Sequence, residues 1–213
     1  MMFSKPSTIL ILAPHTDDGE FGCGGTIRKL INNGHTVYYA AFSACEQSVL
    51  PQFPRDILIT EVKEATKVLG IKPENLILFK YEVRTFNFRR QEILEDLIKM
   101  RKDINPDVIF MPALHDVHQD HHTIATEGLR AFKNRTIFAY ELIWNNLNFN
   151  TSTFFSLDEK DVMCKVKALE KYESQAHRTY ADETFIRSLA KVRGVQIGVD
   201  YAECFETIRL IFK

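Results

Sequence analysis

A doubly wound α/β fold, Rossmann-like, with a mostly parallel sheet and helices on both faces, is predicted by three observations. Short apolar runs alternate with helix-period segments along the chain. Glycine and proline sit at the boundaries of these segments rather than in clusters. The first strand, helix and strand fall within about 35 residues, the compass of a βαβ unit and hence of a parallel pair.

Thr8 to Ala13 is an apolar run bounded by Pro6 and by polar residues, as a strand buried on both faces requires. Gly24 to Asn33 reads as a helix with Ile27, Leu30 and Ile31 on one side, stopped by Gly34. Thr36 to Phe42 is the second strand. A helix at Leu58 to Leu69, ended by Gly70, precedes a strand at Leu76 to Phe79, and a helix at Gln91 to Lys102 precedes one at Asp107 to Met111. Thr123 to Phe132 is then helical and Thr136 to Leu142 a strand. Irregular structure follows residue 140, with helices at Asp161 to Gln175 and Glu183 to Val192. Cys204 to Phe212 closes the sheet.

With 213 residues, 45% of them hydrophobic, and no repeat or long linker, a single domain over 1–213 is expected. The net charge of -1 argues against a nucleic-acid partner. Cys23, Cys45, Cys164 and Cys204 are scattered without a C-x-x-C pair, which suits reduced thiols and a cytoplasmic setting. The apolar run at Ile9 to Leu12 is too short for a signal segment, and no stretch is long enough for a membrane span.

In open α/β sheets the ligand site lies beyond the carboxyl ends of the strands. After the first strand comes His15-Thr16-Asp17-Asp18-Gly19-Glu20, followed by Gly22, Gly24 and Gly25. After the 107–111 strand comes His115-Asp116-Val117-His118-Gln119-Asp120-His121-His122, with four of the seven histidines. So many acids in one loop repel each other unless a cation sits among them. Imidazole mixed with carboxylate suits zinc or a similar divalent ion. Taken singly, a His or Asp after a strand is usually a turn or cap residue, and glycines by themselves signal only close packing. Two such clusters at two strand exits point instead to a metal site.

These stretches resemble the two signature motifs of the LmbE-like, or PIG-L, family of zinc-dependent deacetylases. The family's H-P-D-D-E-x-x-G-x-G-G-T is matched by His15 to Thr26, and its D-x-H-P-D-H by Asp116 to His121. Weaker similarity runs through Glu61 to Gly70, Arg193-Gly194 and Tyr201 to Phe205. The resemblance implies one Zn2+ per chain held by His15, Asp18 and His121, although such a site also accepts iron or another divalent ion. It makes Asp17 the general base, has His118 stabilise the oxyanion or protonate the leaving amine, and has Asp120 orient the His118 imidazole and favour its charged form. The implied reaction is hydrolysis of the acetamide of an N-acetylglucosamine-type sugar, a small-molecule substrate. Family members often assemble, so a homo-oligomer is compatible with it. Thr16 and Gln119 depart from the family's prolines, and Gly19 from its Glu, with Glu20 one place later.

Two other readings compete. Asp120-His121-His122 spells the tripeptide of DHH-type phosphoesterases, which need two metal ions and further aspartates. A non-catalytic metal-binding module needs neither Asp17 nor His118. Around the site, Glu46, Gln47 and Arg55 are candidates for sugar contacts, and Trp144 is either a stacking rim or a packed aromatic. His35 and His177 are expected at the surface, and Glu203 has no evident chemical role.

Overall fold

The computed structural model describes residues 5–212. The first strand, β1 (Thr8–His15), is buried on both sides: Ile9, Ile11 and Ala13 join one hydrophobic cluster, and Leu10 and Leu12 the other. Helix α1 (Asp18–Asn32) leads to β2 (Thr36–Ser43), and α2 (Ile57–Leu69) to the short β3 (Leu76–Leu78). Helix α3 (Arg90–Ile104) leads to β4 (Val108–Pro112), and α4 (Gln119–Ala131) to β5 (Thr136–Tyr140). The chain then forms β6 (Thr153–Leu157), α5 (Glu159–Leu169), α6 (Glu183–Gln196) and β7 (Tyr201–Arg209).

The strands pair in the order β3-β2-β1-β4-β5-β7-β6. The first five are parallel, while β7 runs antiparallel to both β5 and β6. Helices α1, α2, α5 and α6 pack on one face around Phe21, Ile27, Val62, Leu69, Val166 and Ile186. Helices α3 and α4 cover the other around Ile93, Leu97 and Ile124. The connections leaving β1 and β4, which are neighbours, therefore run to opposite faces. A crevice opens at their carboxyl ends, the switch point where ligands bind in open α/β sheets. No described helix is long and apolar enough to cross a membrane.

Several boundaries differ from the sequence reading. Helix α1 begins at Asp18 rather than Gly24, so the glycine-rich stretch is helical, although glycine disfavours helix interiors by about 1 kcal/mol each. Packing overrides propensity here. A Cβ on Gly19 would lie 2.5 Å from the Tyr39 ring, and one on Gly22 would lie 2.3 Å from the Tyr140 ring. The glycines thus let the helix approach the sheet. Helix α4 begins at Gln119 rather than Thr123, because His118 caps it. The helix read to Gln175 ends at Leu169, the last strand ends at Arg209 rather than Phe212, and β6 lies within the stretch read as irregular. His35, expected at the surface, is buried and accepts from the Ser7 N–H.

Helix α1 is kinked at Cys23, whose φ of -150 and ψ of 24 are not helical. The break leaves backbone groups without helical partners, and a buried ion pair takes them up. Glu203 accepts from the N–H of Gly25 at 3.0 Å and of Thr26 at 2.7 Å. Lys165 donates to Glu203 at 2.7 Å and to the Phe21 carbonyl at 2.6 Å. Glu203, without evident role in the sequence, is the cap that lets α1 bend. Removing one member of a buried pair strands the other charge, at roughly 3–5 kcal/mol. Glu203→Ala is therefore expected to lose about that much stability in urea denaturation, and the double change Glu203→Leu with Lys165→Met much less. Equal losses would show that packing, not the stranded charge, dominates.

Candidate metal centre and active site

His15 ends β1, Asp18 opens α1 and His121 lies on the first turn of α4. Parallel pairing of β1 with β4 brings the three together. His15 Nδ1 lies 3.2 Å from Asp18 Oδ2 and 3.1 Å from His121 Nε2, and Asp18 Oδ2 lies 3.2 Å from His121 Nε2. Zinc with ligands at about 2.0–2.2 Å separates neighbouring donors in a tetrahedron by roughly 3.3–3.6 Å, so this triangle fits an ion with little adjustment. His15, His118 and His121 form a second donor set, with nitrogens within 4.8 Å of one another. The two sets share His15 and His121 and differ in the third member. The Asp18 set is the more compact and supplies a carboxylate to offset the ion's charge.

Each of the two shared histidines has a carboxylate on its other nitrogen. Asp120 Oδ2 lies 3.0 Å from His15 Nε2, and Asp116 Oδ2 lies 2.9 Å from His121 Nδ1. Such carboxylate–histidine pairs fix the ring and tautomer of a metal ligand. Asp120 also accepts from the backbone N–H of Arg84 at 2.6 Å and of Phe86 at 3.3 Å. This corrects the reading in which Asp120 orients His118: its carboxylate holds His15, and only its backbone N–H reaches His118 Nδ1, at 3.2 Å.

The electrostatics favour a positive charge at the triangle. Burial alone would lower His121, yet Asp18 and Asp116 outweigh it and push it up to about 10. His15 is raised in the same way, against its burial, by Asp18 and Asp120. Asp18 is held well below the usual carboxylate range by His121 and His15 in spite of its own burial. His118 goes the other way, to about 4, through burial and the positive charge of His121 and His15. Asp120 pulls it upward but is outweighed, so the metal-free chain does not favour charged His118.

Asp17 precedes α1, and its side chain makes no capping bond. Burial and the neighbouring Asp18 push it up to about 6. Its side chain lies on the wall of a cleft with His15, Asp18, His118 and His121. Residues from other loops complete the wall: Cys45, Arg84, Trp144, Asn145, Gln175, Arg178 and Tyr180. Cys45 and Arg84 have φ of 51 and 70, left-handed backbone at non-glycine positions on this rim. Trp144 stacks on Tyr180 with ring centroids 3.8 Å apart and also meets Phe21 edge-on. It is therefore both packed and at the rim. Glu46 and Gln47 line a neighbouring hollow, and Arg55 lines neither. His115 and His122 bond backbone carbonyls of Asn148 and Leu114, outside the cluster. Arg84, Gln175, Arg178 and Tyr180 carry no spacing or motif that marks them in the sequence.

Glu20 does not enter the cleft. It is fully buried and bonded to the hydroxyls of Tyr39 and Tyr172, and burial raises it to about 8. The same two hydroxyls lie 2.8 Å from the Thr16 carbonyl. Gly19 leaves room for the Tyr39 ring and donates its N–H to that hydroxyl at 3.1 Å. The Gly19-Glu20 departure is thus a coherent unit that braces the loop from beneath.

A family model described as GlcNAc-PI de-N-acetylase, PIG-L, matches residues 10–132, more than half of the chain and both clusters. The chain belongs to the PIG-L family. Diacetylchitobiose deacetylase of Thermococcus kodakarensis is 23% identical over 99% of this chain and 86% of that protein. A probable N-acetyl-alpha-D-glucosaminyl L-malate deacetylase of Bacillus cereus is 28% identical over 58% of this chain and 60% of its own length. Among solved structures, N,N'-diacetylchitobiose deacetylase from Pyrococcus horikoshii superposes with a TM-score of 0.80 at 23% identity, covering 97% of this chain and 85% of that one. This PIG-L chain thus shares its fold over nearly its whole length.

Outer carboxylates of this kind typically contribute 10–100-fold in metal affinity. Asp120→Asn is expected to weaken zinc binding by ~10–100-fold in competition with a chelator. Unchanged affinity would mean that His15 needs no such support.

Proposed function

We propose that residues 1–213 act as one domain, a zinc-dependent N-deacetylase of N-acetylglucosamine-type sugars. The observation that carries this reading is the His15–Asp18–His121 triangle with Asp17 beside it on an open cleft. A divalent ion held there supplies Lewis acidity toward the acetyl carbonyl and makes water more acidic. Three protein donors leave room for water and substrate, as catalytic sites require. Family membership supports the chemistry, and the relatives' names support the substrate class.

Asp17 accepts a proton from the attacking water, whose oxygen bonds to the acetyl carbon. His118 accepts the Asp120 N–H at Nδ1, so its neutral ring carries hydrogen on Nε2 and donates there to the developing oxyanion. Asp17 then hands its proton to the leaving nitrogen as the C–N bond breaks. The products are acetate and a free amine. Trp144 and Tyr180 offer an aromatic wall for the sugar ring. The four unpaired cysteines suit the reducing cytoplasm.

A two-metal phosphoesterase needs further free carboxylates. Asp116 and Asp120 are each engaged by a histidine, and among the described residues Asp17 and Asp18 are the acids that line the cleft. The deacetylase reading is tested by acetate release from a panel of N-acetylglucosamine derivatives. Asp17→Ala is expected to keep its zinc and lose turnover by ~10²–10⁴-fold, while His121→Ala loses the metal. Full activity in Asp17→Ala would overturn the role of the base.

A further inference from the structure

We infer that Asn145 is a positioning residue that fastens the cleft loop carrying Trp144 to the metal ligand His121, its side-chain oxygen accepting from His121 Nδ1–H. This rests on the reading of His121 as a metal ligand of the deacetylase.

The geometry starts at His121. Its Nε2 faces His15 and Asp18 in the triangle, at 3.1 and 3.2 Å. A ring that ligates through Nε2 keeps its hydrogen on Nδ1. Here that hydrogen meets Asp116 Oδ2 at 2.9 Å. The Asn145 amide lies 3.3 Å from the same Nδ1, with its nitrogen the nearer atom. Two N–H groups cannot bond each other, so the amide takes the orientation related by a half-turn, oxygen toward the ring. Nothing opposes that turn, because among the described residues the Asn145 side chain has no other hydrogen-bond partner. His121 Nδ1–H is then shared between the Asp116 carboxylate and the Asn145 oxygen. The amide NH2 is left to the cleft, whose wall Asn145 helps to form.

The loop is built to transmit that hold. Between β5 and β6 the chain closes on itself from Leu142 to Asn146. The N–H groups of Asn145 and Asn146 both donate to the Leu142 carbonyl, at 2.8 and 3.0 Å, and the Asn146 side chain accepts from the Leu142 N–H at 2.7 Å. The Asn145 carbonyl accepts from the Val117 N–H at 3.3 Å, next to Asp116 in the chain. Trp144 sits inside this turn and carries its ring against Tyr180 and Phe21. Farther along the loop, the Asn150 N–H donates to Glu206 at 2.8 Å. Asn145 is the side chain of the turn that reaches a metal ligand. The aromatic wall offered to the sugar is thereby tied to an imidazole of the triangle.

Trp144 is the chain's single tryptophan, so its fluorescence reports this loop alone. Asn145→Leu removes the acceptor at similar volume, whereas Asn145→Asp keeps it. In zinc-free protein, acrylamide quenching of Trp144 should rise by about twofold in Asn145→Leu and stay near wild type in Asn145→Asp. Zinc affinity, measured by chelator competition, should fall ~10-fold in Asn145→Leu and hold in Asn145→Asp. With zinc saturating, KM for the methyl glycoside of N-acetylglucosamine should rise ~3–10-fold in Asn145→Leu, more than kcat falls, and recover in Asn145→Asp. Quenching, zinc affinity or KM unchanged in Asn145→Leu would overturn the inference. Equal losses in both variants would also overturn it, because packing rather than the acceptor would then hold the loop. No acetate from any substrate, with Asn145-dependent quenching and zinc affinity intact, would overturn the deacetylase reading and leave the Asn145 link standing. Zinc retained by His121→Ala would overturn both.

Discussion

The structure turns on one electrostatic constraint: His15, Asp18 and His121 meet within 3.2 Å in a buried corner where β1 and β4 end. Water screens little there, so the arrangement needs a compensating positive charge. Without metal, Asp18 and Asp116 favour a proton on His121, which raises His121 and in turn lowers Asp18. Asp120 and Asp116 behind the two rings set both their orientation and their charge. A metal ion bound there would displace that proton and supply a charge that also has chemistry to perform.

The rest of the fold keeps that corner rigid. Apolar residues on both faces of β1 fix its register between β2 and β4, and with it the height at which His15 emerges. Beneath the loop, Tyr39, Tyr172 and Glu20 hold the Thr16 carbonyl, next to Asp17. Further along α1, Glu203 and Lys165 close the kink at Cys23. Residues outside the cleft thereby hold the backbone on either side of Asp17 and Asp18.

Much of this was legible in the sequence, for physical reasons. A strand buried on both faces must be an unbroken apolar run, and Thr8 to Ala13 is one; clusters of His and Asp are rare enough that two at strand exits reveal a site. The Asp17-Asp18 pair and His118 with His121 followed from those clusters and the family's motifs. What stayed hidden depended on distant packing. Nothing local says that a helix can run through Gly19 and Gly22, because the space they leave is filled by tyrosines on β2 and β5. Asp120 has His118 as its neighbour in the sequence, whereas chain folding sets its carboxylate against His15, 105 residues away. Arg178 and Gln175 lie in a short turn after α5 and are drawn to the cleft through Glu61, a link with no local signature.

Whether one metal ion sits on the His15–Asp18–His121 triangle is decided by anomalous diffraction from zinc-loaded crystals. A single peak per chain is expected, within about 2.0–2.2 Å of His15 Nδ1, Asp18 Oδ2 and His121 Nε2. A peak ligated by His118 in place of Asp18, or two metals in one cleft, would contradict it.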